Sequence, residues 1–181
     1  MSTRSRIGME MPDGSIKSIY CHWDGYPEGV GATLEKHYKD PKKIEKLLEL
    51  GDISSLGEFY NEELSNMDWH KFDDPEKRDE ILKKTEKCTV AYKDRGENVP
   101  ARIDKNEAEF ISRVGACCED YTYLYKEDYD GVYRWFYLET PYFTPISDRL
   151  EKAKNVSLSE SDMLNTIVDK IDNNDGSFSF N

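Results

Sequence analysis

The N-terminal part of the chain alternates hydrophobic and polar positions in the way that β-strands do. In the segment TRSRIGMEM, Ile7, Met9 and Met11 share one side of an extended chain. The alternation returns in the segment SIKSIYCHW, and the turn-forming sequence PDG at 12–14 lies between the two. The pattern therefore predicts a β-hairpin, and in its second strand the inward face is predicted to consist of Ile19, Cys21 and Trp23.

After the hairpin the hydrophobic spacing lengthens to that of helices. Val30, Leu34 and Tyr38 are spaced four apart along the chain, which places them on one face of a helix. The next helix is predicted to have Asp40 as its N-cap and to end at Gly51, because short polar side chains and glycine favour these two positions. Two short helices are therefore expected to follow the hairpin.

The middle of the chain is less regular. Residues 57–86 hold scattered aromatic side chains among mostly acidic ones, which predicts an irregular acidic insertion with a short helix near 76–84. The segment CTVAY at 88–92 is typical of a third strand. Asp104 is then predicted to cap a helix whose apolar stripe includes Phe110.

The strongest hairpin signal comes late in the chain. Two aromatic-rich runs, YTYLY and VYRWFY, surround the turn residues Asp130 and Gly131. Ser157 and Glu160 form a capping-box pattern at the start of a C-terminal helix, and a polar tail follows it.

These elements predict the fold class and the domain organisation. Two hairpins and one single strand, with helices between them, indicate an α+β fold with an antiparallel sheet of about five strands and helices on one face. We expect residues 1–150 to form one domain that contains the acidic insertion. Residues 151–181 are expected to form the C-terminal helix and a flexible tail.

The net charge of the chain limits the classes of partner that it is expected to bind. The chain has 37 Asp and Glu residues against 25 Lys and Arg residues, a formal net charge of −12. Because nucleic acids and anionic membranes attract basic surfaces, this charge argues against direct binding to either. It favours a partner protein with a basic surface. The alternative interpretation is that the acidic surface only keeps the protein soluble.

Two further patterns concern the location of the protein in the cell. No segment approaches the roughly 20 apolar residues of a membrane span, and the N-terminus lacks the apolar core of a signal peptide. The 4 cysteines include no CxxC pair, and they indicate neither a disulfide framework nor a zinc ribbon. We therefore expect a cytoplasmic protein whose thiols are reduced.

His22 is the candidate for catalysis. It alternates with Tyr20 and Asp24 along the predicted strand, and a carboxylate two residues away suits an imidazole that acts as a general base. Arg95, in the loop after the third predicted strand, suits the binding of an anion or a transition state. The alternative is a structural histidine that a hydrogen bond to Asp24 holds at the strand end. We expect no metal, since the possible ligands are too scattered, and no cofactor.

Several segments carry a resemblance to a known family. TRSRIG, IYCHWDGYPEGVG, LEKHY, LLELGDISSLG and AYKDRGE resemble segments of a family of small proteins carried by tailed phages, prophages and other mobile elements. The resemblance is dense from Thr3 to Gly57, and CHWDGYP beside GDISSLG is its most specific part. The insertion at 57–86 and the region after Thr140 depart from the usual shorter form. The family has no established activity, so the resemblance assigns no catalytic residue.

The resemblance and the charge together lead to a first functional hypothesis. Small acidic phage proteins often inhibit host enzymes, including restriction and RNA-guided nucleases, so the resemblance implies an inhibitor that acts in the cytoplasm of a bacterial host. Its acidic surface is expected at 57–86, at 119–130 and in the C-terminal region. In one version of this hypothesis the surface imitates the charge of DNA. The candidate partner-binding residues are Tyr60, Glu62, Glu63, Asp68, Trp69, Phe72, Asp73 and Asp74.

Two other functions stay open. One is a small hydrolase or nuclease-like enzyme, with His22 as the base, Asp24 as the group that orients it and Arg95 as the anion clamp. This hypothesis requires Tyr20, His22, Asp24 and Arg95 to converge in one cleft. The other is a structural or virion-associated interaction protein, for which the oligomeric state, undetermined by the sequence, is the discriminating observation.

Overall fold

One β-sheet organises the molecule. The computed structural model describes residues 2–66, 74–139 and 142–147. Within these ranges eight strands form a single mixed sheet, with four α-helices outside it. The α+β fold class predicted from the sequence is thereby confirmed.

The bounds of the elements are as follows. The strands are β1 (Ser5–Glu10), β2 (Ile16–Cys21), β3 (Ile53–Ser55), β4 (Val90–Ala91), β5 (Arg102–Asp104), β6 (Tyr121–Glu127), β7 (Tyr133–Glu139) and β8 (Tyr142–Pro145). The helices are α1 (Ala32–His37), α2 (Pro41–Leu48), α3 (Pro75–Thr85) and α4 (Glu107–Ser112). A π-helical turn at Pro27–Gly31 precedes α1, and 3₁₀ turns lie at Glu62–Asn66 and Tyr92–Arg95.

The sheet is larger than predicted and is not purely antiparallel. Its strand order is β4-β3-β2-β1-β6-β7-β8, and β5 also pairs with β2. The two predicted hairpins, β1–β2 and β6–β7, lie side by side because β1 pairs in parallel with β6. β3 is likewise parallel to β2. The predicted count of about five strands was too low, since β3, β5 and β8 are too short to show a clear period of two.

Local chemistry explains the two hairpins and the second helix. In the first turn the Asp13 side chain accepts hydrogen bonds from the backbone N–H and the hydroxyl of Ser15, and Gly14 has a positive φ of 81°. The second turn uses Gly131 in the same way, with a φ of 79°. Asp40 caps α2 as predicted, because its carboxylate accepts the backbone N–H of Lys42.

The main core lies on one face of the sheet, which we call the core face. Helices α1 and α2 cover it with Leu34, Ile44, Leu47 and Leu48. The strands contribute aliphatic residues near the N-terminus and aromatic residues from the second hairpin, namely Ile7, Met9, Ile19, Cys21, Tyr123, Tyr125, Trp135 and Tyr137. Cys21 is fully buried here, as predicted for its inward position.

Hydrogen bonds from the aromatic rings tie the loops to this core. Tyr123 donates to the carbonyl oxygen of Gly25 at 2.7 Å, and the Trp135 indole donates to the carbonyl oxygen of Tyr38 at the same distance. Tyr38 in turn donates to the carbonyl oxygen of Gly57. A core rich in tyrosine can therefore be buried without leaving its polar atoms unsatisfied.

The helices do not all lie on one face, which corrects the sequence prediction. Phe110 of α4 packs with Ile16 and Leu124 in a second, smaller cluster on the opposite side of the sheet. Lys126 of β6 binds Glu107 of α4 at 2.8 Å on the same side. Helix α4 therefore covers part of the face that the prediction left open.

Two individual predictions were also wrong. Trp23 is 45% exposed, because β2 ends at Cys21 and the chain turns at Asp24, which has a φ of 56°. Asp104 does not cap α4; it is the last residue of β5 and is buried, whereas the side chain of Asn106 caps the helix.

Only some of the remaining predicted elements lie within the described residues. The helix expected near 76–84 is present as α3, and the strand expected at 88–92 is reduced to β4 and a bridge between Phe59 and Cys88. The predicted C-terminal helix and tail lie outside the described residues. In the part of the chain that the structure describes, no helix has the length and apolar character needed to cross a membrane.

Candidate functional site

The second face of the sheet is polar where α4 does not cover it. Arg6 is the register partner of both Tyr20 on β2 and Thr122 on β6, so the three side chains share this face. Ser18 and Arg102, which are register partners on β2 and β5, lie beside them. We call this surface the polar face; its residues are Arg4, Arg6, Ser18, Tyr20, His22, Asp52, Tyr92, Arg95, Arg102, Glu119 and Thr122.

Four sequence segments meet at the polar face. TRSRIG forms β1, and IYCHWDG continues β2 into a stretch that hydrogen-bonds to β3 of GDISSLG, where the N–H of His22 donates to the carbonyl oxygen of Ile53. AYKDRGE joins them because the N–H of Tyr92 donates to the carbonyl oxygen of Asp52 at 3.0 Å. Segments that are far apart in sequence thus supply one surface.

A buried ion pair lies at the centre of the polar face. The Nε atom of Arg6 donates to Glu119 at 2.7 Å, and the side chains are only 5% and 1% exposed. Burial acts to raise the pKa of Glu119, but the hydrogen bonds from Arg6 and from the backbone N–H of Cys117 outweigh it, so the pKa of this carboxyl is lowered. Glu119 therefore stays ionised and holds Arg6 in place.

Several polar atoms of this face are buried and have no hydrogen-bond partner within the described ranges. They are the hydroxyl oxygens of Ser18 and Thr122 and the terminal Nη2 atom of Arg102. Ser18 and Thr122 are 0% and 1% exposed. A buried polar group without a hydrogen bond costs about 1–3 kcal/mol of stability, so folding alone does not account for them.

A second group of charges fixes Arg102. The fully buried carboxylate of Asp104 accepts hydrogen bonds from Arg102 at 2.9 Å and from Arg113 at 2.8 Å. The guanidinium of Arg102 also lies over the ring of Phe110. The Nε atom of Arg102 is therefore held by Asp104, whereas its buried Nη2 atom has no hydrogen-bond partner within the described ranges.

His22 contacts Tyr20 rather than the carboxylate that the sequence suggested. The Tyr20 hydroxyl lies 2.9 Å from Nδ1 of His22, and no hydrogen bond joins His22 to Asp24 within the described ranges. Burial raises the pKa of Tyr20, while Arg4 nearby acts in the opposite direction. Asp24 itself is exposed at the turn after β2.

Among the described residues, Arg95 is related to Tyr20 only through Tyr92. Its guanidinium stacks on Tyr92 at 4.9 Å, and Tyr92 is close enough to Tyr20 to perturb its pKa. Among the four residues of the enzyme hypothesis, the structure thus joins Tyr20 to His22, and within the described ranges no hydrogen bond joins Asp24 or Arg95 to His22. Their catalytic role stays a prediction.

Asp52 is the carboxylate that the sequence analysis missed. It accepts the backbone N–H of Tyr20 at 2.8 Å. Burial raises its pKa, and both Arg6 and Arg102 are close enough to act against that shift. The two guanidiniums therefore both act on one carboxyl, although no spacing in the sequence relates Arg6, Asp52 and Arg102.

The acidic insertion forms a different surface. Tyr60 packs against the core, and its hydroxyl donates to Asp94 at 2.9 Å. Leu64 is buried, whereas Glu62 and Glu63 are exposed. Tyr60 and Glu62 line a groove of about 270 Å³ together with Tyr38, Lys43, Lys46, Leu47 and Phe59.

The other proposed partner-binding residues divide between described and undescribed positions. Asp74 is half-buried and pairs with Lys77 at 3.1 Å at the start of α3. Asp68, Trp69, Phe72 and Asp73 lie outside the described residues. Their part in the predicted interface stays a prediction.

Most carboxylates of the second predicted acidic region serve the fold. Glu119 pairs with Arg6, Asp120 accepts the backbone N–H of Arg4, and Asp128 and Asp130 both pair with Arg134. These groups are already neutralised or hydrogen-bonded. Region 119–130 is therefore a weaker candidate for an acidic interface than its sequence suggested.

The fold and these contacts define the class of protein: an α+β protein on one mixed sheet with a polar, arginine-bearing face. No protein-family model, curated protein or solved structure matches the chain. Within the described ranges, no three His, Cys, Asp or Glu side chains are grouped so that they could hold a metal ion. The resemblance to the phage family stays a prediction.

Proposed function

We propose that the protein binds and inhibits a host protein that handles nucleic acid, such as a restriction or RNA-guided nuclease. The proposal combines the resemblance to phage proteins, the net charge of −12 and the surface formed by residues 58–63, which we call the insertion surface. The partner is expected to present a basic surface with an apolar pocket.

The observation that supports the proposal most is that Phe59 has an exposed side chain on a hydrogen-bonded backbone. Its ring is 46% exposed at the groove beside α2. Its backbone is fixed, because its carbonyl oxygen accepts the N–H of Thr89 and the preceding N–H of Glu58 donates to Lys87, both at 2.7 Å. A ring on a fixed backbone loses little entropy when a partner covers it, and aromatic anchors carry much of the energy of interfaces.

Acidic side chains follow this ring in the sequence, and one of them, Glu62, lines the same groove. Glu62 and Glu63 are both exposed, and they follow Phe59 on a segment that the buried Leu64 secures. Carboxylates around an apolar anchor steer a basic partner towards it and make association fast and sensitive to salt. They contribute less to the final affinity than the anchor does.

The experiment begins with an affinity pull-down of the tagged protein from host lysate at low and at high salt, with mass spectrometry of the bound proteins. The captured protein is then purified, and its nucleic-acid-handling activity is measured against increasing amounts of the inhibitor. We expect stoichiometric loss of that activity and weaker binding at high salt.

Two variants test the surface itself. Phe59→Ala is expected to weaken the dissociation constant at least about tenfold, while Tyr129→Ala, which removes a ring that is 97% exposed elsewhere, leaves it unchanged. Equal affinity of the wild type and Phe59→Ala would exclude this surface. If the partner keeps its activity when it is saturated with this protein, the proposed inhibition is rejected. If the affinity does not change with salt, its electrostatic basis is rejected.

A further inference from the structure

The polar face carries two arginine side chains with unused hydrogen-bond donors. The guanidinium of Arg6 makes one hydrogen bond within the described ranges, through Nε to Glu119. Arg102 likewise donates through Nε, to Asp104, and its buried Nη2 has no hydrogen-bond partner among the described residues. In both cases a carboxylate holds one edge of the guanidinium and leaves terminal nitrogens unengaged.

An unpartnered hydroxyl lies beside each arginine. Thr122 is the register partner of Arg6 on β6, and Ser18 is the register partner of Arg102 on β2. Both hydroxyls are at least nine-tenths buried, and in the part of the chain that the structure describes they have no hydrogen-bond partner. The sheet thus repeats the same arrangement, a guanidinium next to a hydroxyl, in two rows: one contains Arg6, Tyr20 and Thr122, and the other contains Ser18 and Arg102.

We propose that the polar face binds the phosphate group of a small molecule between Arg6 and Arg102, with the hydroxyls of Ser18 and Thr122 as further donors. A phosphate presents several oxygens in a tetrahedral arrangement, and guanidinium groups bind such oxygens through paired N–H groups. A carboxylate has only two oxygens and engages fewer of these donors. The net charge of −12 disfavours anions at long range, so recognition depends on this local cluster.

Asp52 is the internal competitor for the same arginines. Its carboxyl lies close enough to Arg6 and Arg102 for both to influence its ionisation, and Glu119 also acts on it. When ionised, Asp52 repels an incoming phosphate, and its negative charge weakens the attraction that the two guanidiniums exert on the phosphate. Replacement of its charge by an amide is therefore expected to strengthen phosphate binding, which is the opposite of the effect of removing the hydroxyls.

The site is separate from the insertion surface. None of its side chains lines the groove that holds Phe59, and its donors come from β1, β2, β5 and β6. Phosphate binding and protein binding can therefore be tested independently. Phe59→Ala is expected to leave phosphate binding unchanged.

The test is isothermal titration calorimetry of the full chain with inorganic phosphate, and with acetate as the carboxylate probe. We expect saturable binding of phosphate and at least about tenfold weaker binding of acetate. The double variant Ser18→Ala/Thr122→Val, which keeps the volume of the site nearly constant, is expected to weaken phosphate binding at least about tenfold. Asp52→Asn is expected to strengthen it.

Each result decides for or against the site. The absence of saturable phosphate binding by the wild type would overturn the proposal. So would equal affinity of the wild type and the double variant while circular dichroism shows both to be folded. Acetate binding as tight as that of phosphate would replace the phosphate ligand by a carboxylate and would overturn the ligand class proposed here.

Discussion

The two faces of the sheet are made by the same strands and have opposite physical character. On β1 and β2, Ile7 and Ile19 face the core, while Arg6 and Tyr20 face the other way. The core face is closed by aliphatic and aromatic packing. The polar face buries an ion pair and leaves hydroxyls without partners.

This difference separates what holds the fold together from what the fold presents. Burial of apolar side chains supplies most of the stability of a domain of this kind. A buried ion pair contributes little or nothing net, because desolvation of both charges offsets their attraction. The polar face is therefore explained better by recognition of a ligand than by stability, and the following predictions test that division.

The largest expected effect belongs to the core face. Trp135 is 1% exposed and donates to the carbonyl oxygen of Tyr38, so Trp135→Ala is expected to lower the free energy of unfolding by about 3–5 kcal/mol. Urea unfolding followed by circular dichroism measures it. The control, Tyr129→Ala at a fully exposed ring, is expected to change stability by less than about 0.5 kcal/mol. Similar losses in both variants would contradict the assignment of the core.

Breaking the ion pair of the polar face is expected to cost nearly as much. Arg6→Met leaves Glu119 charged and buried, at a cost of about 3–5 kcal/mol. The double variant Arg6→Met/Glu119→Gln is expected to recover most of that loss, because no buried charge remains. Unfolding free energies of the wild type, both single variants and the double variant give the coupling. If the double variant has no higher free energy of unfolding than Arg6→Met, the ion pair itself stabilises the fold.

The pH dependence of stability provides a finer test of the same pair. Because the pKa of Glu119 is lowered in the folded protein, its stabilising contribution is present above the usual value of 4.5 and is lost as the pH falls through the folded-state pKa. Urea midpoints between neutral pH and acid should therefore fall less steeply in Glu119→Gln than in the wild type. Parallel curves would show that another carboxylate causes the acid loss.

The smallest expected effect concerns the reactivity of the cysteine thiols, which is compared between buried and exposed positions. Cys21 is buried on the core face, and burial raises the pKa of its thiol to about 12, so it is expected to be unreactive. Cys117 and Cys118 are exposed next to Glu119 and are expected to react. Labelling with a thiol reagent followed by peptide mapping distinguishes them, and denatured protein serves as the control. Labelling of Cys21 in the folded protein would show that the core face opens.

The elements predicted correctly from the sequence are those whose signals are local. The two hairpins were identified by a period of two and by turn residues such as Gly131, and α2 by its Asp40 cap. The short strands β3, β5 and β8 carry no such signal, and the parallel pairing of β1 with β6 depends on contacts between distant segments. Local pattern cannot give strand orientation across that separation.

The polar face was predictable only in part. Tyr20, His22 and Arg95 were identified from residue type and position; the structure joins Tyr20 to His22, and Arg95 stacks on Tyr92. Arg6 was not, because a charged residue that alternates with hydrophobic ones predicts a solvent-exposed position. Its partner Glu119 lies 113 residues further along the chain, where no spacing rule connects them.

The central claim is that the polar face is maintained for binding and not for folding. The free energy of unfolding of Ser18→Ala/Thr122→Val, measured by urea titration without ligand, tests it most directly. We expect the variant to be more stable than the wild type by about 1 kcal/mol or more, since it removes two buried hydroxyls that have no hydrogen-bond partner among the described residues. A variant less stable than the wild type would show that these hydroxyls serve the fold, and it would contradict the account.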